Sequence, residues 1–221
     1  MASRRAPPVA WVGAQRDVLA GNLRAAVALA ELKRFEHLYG LGPLEGLKGE
    51  ISVFDGVPLI ARVIGDEIVV DADSGVGACF LVYTDAASWR WTTMRSPLLG
   101  GEEESTVPRL AAEHDRPPDG APLAFLLRGL AVTLVFHVLD KRDGLPHSPA
   151  RHEQAKVRRT LRQREVEVIG FHSTAHRGVF TPADSNVHMH FRSIDGRASG
   201  HVEQLDLASG WALGLPAGEP A

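Results

Sequence analysis

The most informative stretch of the sequence is residues 186–203, NVHMHFRSIDGRASGHVE. His188 and His190 are two residues apart, so on a β-strand both side chains project from the same face. The dipeptide Asp195-Gly196 is a strong signal for a two-residue hairpin turn. With the turn at these positions, His190 faces His201 on the returning strand. This stretch therefore predicts an antiparallel hairpin that carries three imidazoles on one face.

Three imidazoles on one patch of sheet are typical of an open, catalytic type of metal site. Zinc binds imidazole nitrogens at about 2.0–2.1 Å, and three histidines leave a fourth position for solvent or substrate. Gly200, just before His201, leaves space beside the metal or permits a bulge. Glu203 is predicted on the same face, opposite His188. Three roles are open to it: fourth ligand, acceptor for an imidazole N–H, or solvated strand residue.

Two more histidines, His172 and His176, lie on the segment that leads into the hairpin. They either contact the substrate or the metal ligands, or are exposed structural residues. The sequence favours the structural interpretation.

Upstream of the hairpin, the pattern predicts one helical region followed by antiparallel strands. Apolar residues recur at helical spacing from about residue 15 to residue 39, with a break at Gly21-Asn22. The turn dipeptides Asp55-Gly56 and Gly65-Asp66 then separate short apolar runs. These runs, and later ones of the same kind, predict strands at 51–54, 58–64, 67–70, 78–83, 131–139 and 166–169. Residues 123–130 suit either a helix or a strand.

These elements predict an α+β protein with mixed, largely antiparallel sheets in two closely packed subdomains. We expect an N-terminal α/β subdomain at 1–120 and a C-terminal, β-rich, metal-binding subdomain at 121–221. The metal site is expected on the hairpin of the C-terminal part.

Composition and charge exclude several classes of protein. Twenty-four Lys and Arg residues stand against 27 Asp and Glu residues, so no basic excess favours nucleic acid as a partner. The sequence contains neither a GxGxxG motif nor a P-loop, which argues against nucleotide-binding folds. The single Cys79 fits a reducing compartment. No secretory signal and no run of about 20 apolar residues is visible, so we expect a cytoplasmic protein without a membrane partner.

Two separated motifs resemble the signatures of the α-acetolactate decarboxylase family. The first is residues 38–56, LYGLGPLEGLKGEISVFDG, and the second combines VIGF at 168–171 with HMHF and GHV in the hairpin. The resemblance spans roughly residues 11–210. It implies that His188, His190 and His201 hold Zn²⁺, and that the chain forms a homodimer extended through sheet edges.

The resemblance also implies further site residues. Glu50 falls on the family's glutamate beside the metal, and Arg151 is the best placement for its active-site arginine. Glu219 is a conceivable counterpart of an acid near the family's C-terminus. The sequence departs from the family pattern at several positions, namely Pro43-Leu44-Glu45, His172, Ser199 and Glu203. These departures affect the inferred identity of the substrate more than the inferred metal site.

The function that this resemblance implies is zinc-dependent decarboxylation of 2-acetolactate, a small 2-hydroxy-3-oxo acid, to acetoin and CO₂. Glu50 is the candidate acid/base and Arg151 the candidate partner of the substrate carboxylate. One alternative is a divergent metalloenzyme that decarboxylates or isomerises another 2-hydroxy-3-oxo acid. Another is a non-catalytic metal- or ligand-binding relative. A cupin-like metal protein is less favoured, because its His-X-His motif commonly adds a nearby glutamate.

Overall fold

The computed structural model describes residues 7–113 and 121–217. The described residues form fourteen strands and three short α-helices. The strands are β1 Ala10–Val12, β2 Val27–Ala28, β3 Leu38–Pro43, β4 Glu50–Phe54, β5 Val57–Ile64, β6 Glu67–Asp71, β7 Gly77–Ala78, β8 Leu81–Asp85, β9 Trp89–Thr93, β10 Leu123–Leu139, β11 Lys156–His172, β12 Val187–Ser193, β13 Ser199–Leu207 and β14 Ala212–Pro216. The helices are α1 Gln15–Leu19, α2 Glu103–Glu113 and α3 Pro149–Gln154, with 3₁₀ turns at Leu29–Leu32 and Glu45–Leu47.

The first sheet has six antiparallel strands in the order β1-β8-β3-β4-β5-β6. Its two predicted hairpins are confirmed. Asp55 and Gly56 both have positive φ angles (51° and 74°), as a tight turn between β4 and β5 requires. Strand β4 is buried along its whole length, so its side chains face core on both sides of the sheet.

The second sheet has the order β11-β12-β13-β10-β14-β9. Its two longest strands, β10 and β11, are 17 residues each and pair with each other along nearly their full length. Strand β11 also pairs with β12, and β12 pairs with β13, which returns to β10. These four strands therefore close on themselves, so the hairpin β12–β13 has a paired neighbour on both sides.

The helix predicted over residues 15–39 is wrong beyond its first turn. Helix α1 ends at Leu19, Val27 pairs with Ala78 in a two-stranded sheet, and residues 38–43 form β3. Burial explains the outcome, because the apolar residues of this region pack against sheets rather than along one helical face. The close packing of β3 against the residue that precedes β8 requires Gly42. A Cβ at this position would lie 2.1 Å from the carbonyl oxygen of Phe80, so only glycine fits.

The two sheets share a core. One cluster of buried side chains combines residues of the first sheet, such as Leu41 and Phe54, with Leu126, Ile169 and Phe171 of the second. The α+β class with two closely packed, largely antiparallel bodies is thus confirmed. The division into 1–120 and 121–221 stays a prediction, and strand β9 pairs with β14 in the second sheet. Among the described residues, none of the helices has the length and apolar character needed to cross a membrane.

Candidate metal centre

The register of three neighbouring strands brings histidines into a row. His190 pairs with His201 across β12 and β13, as the hairpin prediction requires. The turn is wider than predicted, because the N–H of Ser193 donates to the carbonyl of Ala198, but the register is unchanged. His201 pairs in turn with His137 on β10. Directly paired residues point to the same face of a sheet, so this row places the imidazoles side by side.

The three predicted histidines form a compact donor set. One ring nitrogen each from His188, His190 and His201 lies within 4.8 Å of the others, an arrangement that could hold a metal ion. Nε2 of His188 is 3.1 Å from Nδ1 of His201. Two nitrogens bound to one tetrahedral zinc at the usual bond length would be about 3.3 Å apart. The spacing of this pair therefore suits a shared metal ion.

Hydrogen bonds to Nδ1 orient two of these rings. Nδ1–H of His188 donates to the carbonyl oxygen of Phe180 at 2.7 Å. Nδ1 of His190 lies 3.2 Å from the hydroxyl of Ser52, which is 3.0 Å from the hydroxyl of Ser199. A donor role at Nδ1 leaves the Nε2 lone pair free for a metal.

The three imidazoles are held in the neutral form that binds metals. Burial is the main cause, because it lowers the pKa of His188 to about 4 and the pKa of His190 and His201 well below its usual range. Mutual repulsion between the rings lowers these pKa values further. A neutral imidazole has the lone pair that coordination needs.

Glu50 on β4 faces this cluster from the other sheet. Its side chain is almost fully buried, and its Oε2 lies 3.7 Å from Nε2 of His190. Within the described residues, Glu50 Oε1 and His190 Nε2 have no hydrogen-bond partner. Buried polar atoms without a partner are costly, and a cation held by the imidazoles would remove that cost at His190 Nε2. The donor set and its unpartnered atoms thus fit a divalent metal ion.

Burial also raises the pKa of Glu50 well above its usual range, against smaller opposing effects from the Leu139 backbone and Lys156. Burial therefore shifts this carboxyl toward its protonated form.

The fourth imidazole, His137, was missed by the sequence interpretation. Its ring stacks on His201 with centroids 4.4 Å apart, and its Nε2 lies 3.9 Å from Oε1 of Glu50. Its Nδ1 lies 2.9 Å from Glu203, although the N–H is not aligned as in a full hydrogen bond. A usable signal was present, since His137 is the one ionisable residue in the apolar run 131–139.

Glu203 lies beside His137 rather than among the metal donors. The paired register of β10 and β13 shifts between Val135 and Phe136, so Glu203 is the extra residue of a β-bulge. Both of its carboxylate oxygens accept from Nε of Arg158, at 2.8 and 3.1 Å. The pKa of Glu203 falls to about 2, chiefly because of His137 and also because of Arg158.

Other predicted residues lie outside the donor set. The guanidinium of Arg151 pairs with Asp143, and both residues line a surface cavity of about 460 Å³ with Lys141 and Arg159. His176 contacts Ser173 at 2.7 Å and stacks on Phe180, whose carbonyl orients His188. His172 ends β11 and is partly buried. Glu219 lies outside the described residues.

Comparisons with known proteins agree with the fold. No family model matches the chain, and no curated protein matches it in sequence. A crystal structure of acetolactate decarboxylase from Bacillus subtilis subspecies spizizenii is similar, with a TM-score of 0.79 and 16% identity over 96% of this chain and 87% of that one. The α-acetolactate decarboxylase of Bacillus subtilis strain 168 gives a TM-score of 0.77 at 16% identity, over 96% and 86% of the two chains.

A third similar structure is a Staphylococcus aureus protein of unknown function that is described as similar to α-acetolactate decarboxylase. Its TM-score is 0.71 at 15% identity, over 96% of this chain and 86% of that one. The structural similarity extends over 96% of this chain, although the sequence identity to these proteins is only 15–16%. The chain therefore has the fold of the acetolactate decarboxylases.

Proposed function

We propose that this protein is a metal-dependent decarboxylase that converts 2-acetolactate to acetoin and CO₂. The observation that carries the proposal is the set of three neutral imidazoles, two of them buried and one partly buried, beside the buried carboxyl of Glu50. The fold supports the same conclusion, because the similar structures with TM-scores of 0.77 and 0.79 are acetolactate decarboxylases.

His188, His190 and His201 would hold the metal ion, which we propose to be zinc. Three nitrogen ligands with a remaining open position match the preference of catalytic zinc sites. When bound, the ion supplies Lewis-acid stabilisation of the negative charge that develops as CO₂ leaves. The chain contributes the orientation of the three rings through Phe180 and Ser52.

Glu50 holds the proton that the reaction needs. Loss of CO₂ leaves a carbon that must be protonated, and a carboxyl group within hydrogen-bond reach can deliver that proton. Glu50 is suited to this role because it is buried at the donor set and its Oε1 has no partner among the described residues. General acid catalysis of this kind typically contributes about 10²–10⁴-fold in rate.

Two cations are candidates for binding the carboxylate of the substrate. Arg151 is proposed from the family resemblance, and in this role its guanidinium would exchange Asp143 for the substrate. Lys156 is favoured by its position. Its ammonium lies 3.9 Å from Glu203. Its positive charge also lowers the pKa of Glu50, His137 and His201.

Substitution of each cation separates these two candidates. Replacement of the carboxylate-binding residue by alanine should raise KM at least about 10-fold, because a charged hydrogen bond is lost. Arg151→Ala and Lys156→Ala are compared in steady-state kinetics with 2-acetolactate. If both variants retain the KM of the wild type, neither residue binds the carboxylate.

We also propose that the protein acts on this small molecule as a homodimer in the cytoplasm. The homodimer follows from the family resemblance, and the single cysteine, Cys79, fits a reducing compartment. Light scattering of the purified protein tests the oligomeric state, and a monomer would overturn that part of the proposal.

The test of the activity is acetoin formation from racemic 2-acetolactate by the zinc-loaded protein. Wild type is expected to release acetoin and CO₂, and Glu50→Gln to lose at least about 100-fold in kcat with its zinc retained. Glu36→Gln, at a residue outside the site, is a matched control that should keep the wild-type rate. A zinc-loaded wild type that forms no acetoin would favour another 2-hydroxy-3-oxo acid or a binding role.

A further inference from the structure

We propose that His137 is a specificity-determining residue that accepts a hydrogen bond from a hydroxyl group of the ligand through Nε2. The inference rests on the proposed function in one respect, because it assumes that the ligand of the site is a 2-hydroxy acid. It adds a second point of recognition beside the metal ligands and Glu50.

The neighbours of His137 set the orientation of its ring. Nδ1 of His137 lies 2.9 Å from Oε1 of Glu203, and the carboxylate of Glu203 is held in place by Nε of Arg158. The negative charge of this carboxylate favours the tautomer with the proton on Nδ1, even though the N–H is not aligned for a full hydrogen bond. The Nε2 lone pair of His137 then points away from Glu203 and can accept a hydrogen bond.

His137 lies at the edge of the donor set. It is not one of the three residues of the compact donor set, but its ring stacks on His201, a member of that set. His201 is the partly exposed member, whereas His188 and His190 are buried. His137 therefore flanks the side from which a ligand would reach the donor set.

A gap separates the side chains of His137 and Glu50. Nε2 of His137 and Oε1 of Glu50 face each other at 3.9 Å, which is too long for a direct hydrogen bond. One oxygen atom placed about 2.8 Å from each would fill this gap at ordinary hydrogen-bond distances. Glu50 Oε1 is buried without a hydrogen-bond partner among the described residues, so it also lacks the contact that such an oxygen would supply.

A hydroxyl group matches both sides of this gap. Its hydrogen can be donated to Nε2 of His137, while its oxygen stays within hydrogen-bond reach of the Glu50 carboxyl. A methyl group of the same size satisfies neither atom and leaves both desolvated. The pair therefore favours an acid with a hydroxyl group over an isosteric acid without one.

The test compares two stable acids that differ at this group. The zinc-loaded protein is titrated calorimetrically with 2-hydroxy-2-methylbutanoate and with 2,2-dimethylbutanoate, in which a methyl group replaces the hydroxyl. Wild type should prefer the hydroxy acid. His137→Phe keeps a ring to stack on His201. In this variant the ratio of the two affinities should fall about 3- to 10-fold, as expected for the loss of one hydrogen bond.

Two further variants separate the hydrogen bond from a structural effect. His137→Gln restores a polar atom near the position of Nε2 and should recover part of the preference. His37→Phe replaces an exposed histidine that pairs with Asp55, and should leave the preference unchanged. Zinc affinity, measured by competition with a chelator, should stay within about 3-fold of wild type in all three variants.

Three results would overturn the inference. They are a wild type without preference for the hydroxy acid, a His137→Phe variant with an unchanged preference, and a His137→Phe variant whose main defect is zinc loss. Acetoin formation by the same wild-type preparation reports separately on the proposed function. Loss of the preference in His137→Phe with no acetoin from wild type would retain this inference and reject the decarboxylase.

Discussion

At the scale of single residues, side chains outside the donor set orient its imidazole rings. Ser52 lies on β4 of the first sheet, yet its hydroxyl contacts Nδ1 of His190 on β12 of the second. The same hydroxyl contacts Ser199, two residues before His201. One serine of the first sheet thus links the two strands of the histidine hairpin, and its contact with Nδ1 orients the ring of His190.

Replacement of Ser52 should therefore weaken metal binding without removing a ligand. In Ser52→Ala, Nδ1 of His190 loses its partner, and we expect zinc affinity to fall about 10- to 100-fold. The measurement is competition with a chelator of known affinity. Ser105→Ala, on an exposed turn of α2, is the matched control and should keep wild-type affinity. An unchanged affinity in Ser52→Ala would show that Ser52 does not orient this ligand.

At the scale of elements, the site depends on how closely β13 approaches β10. A Cβ at Gly200 would lie 2.8 Å from the carbonyl oxygen of His137 and 2.8 Å from the ring of Phe136. No side chain fits between these backbones. This close approach keeps the ring of His201 stacked on His137.

Gly200→Ala should force β13 away from β10. We expect the free energy of unfolding to fall by about 1–3 kcal/mol, as for other overpacked positions, and zinc affinity to fall with it because His201 follows Gly200. Chemical denaturation and chelator competition measure the two effects. Gly75→Ala, where a Cβ meets only the flexible side chain of Asp73, is the control. A stable Gly200→Ala variant with wild-type zinc affinity would contradict this account of the strand packing.

The hairpin could be predicted from the sequence and the place of Glu50 beside it from the family resemblance, whereas other parts of the cluster could not. Alternation along a strand and one turn dipeptide determine the pairing of His190 with His201, because both are local features. His137 joins the row only through the pairing of β10 with β13, which are more than 60 residues apart in the chain. The helical spacing of residues 15–39 was misleading because strand pairing with β7 and β8 outweighed local propensity.

At the scale of the whole molecule, buried and partly buried histidines are expected to make stability depend on pH. His152 on α3 is a clear case away from the donor set. Its pKa falls from 6.5 to about 4, chiefly because of burial and further because of Lys156, His147 and His137, against an opposing effect of Glu153. Between about pH 6.5 and pH 4, the unfolded chain therefore binds a proton at His152 that the folded chain does not bind.

The free energy of unfolding should accordingly fall as the pH drops through this window. Between pH 7 and pH 4, we expect the free energy of unfolding of wild type to fall by roughly 2–3 kcal/mol more than that of His152→Phe. Both proteins are compared by urea denaturation after treatment with a chelator, so that proton competition for the metal does not contribute. Equal losses in the two proteins would mean that His152 is not held neutral by burial.

The central claim is that the three-histidine cluster binds one metal ion and that this ion is required to form acetoin from 2-acetolactate. The most direct test is to remove metal from the protein and to measure acetoin formation as zinc is returned in steps. The account predicts no activity before zinc is added, a linear rise, and saturation at about one zinc per chain, with no recovery in His190→Ala. Acetoin formation by the metal-free protein, or none at any zinc ratio, would contradict it.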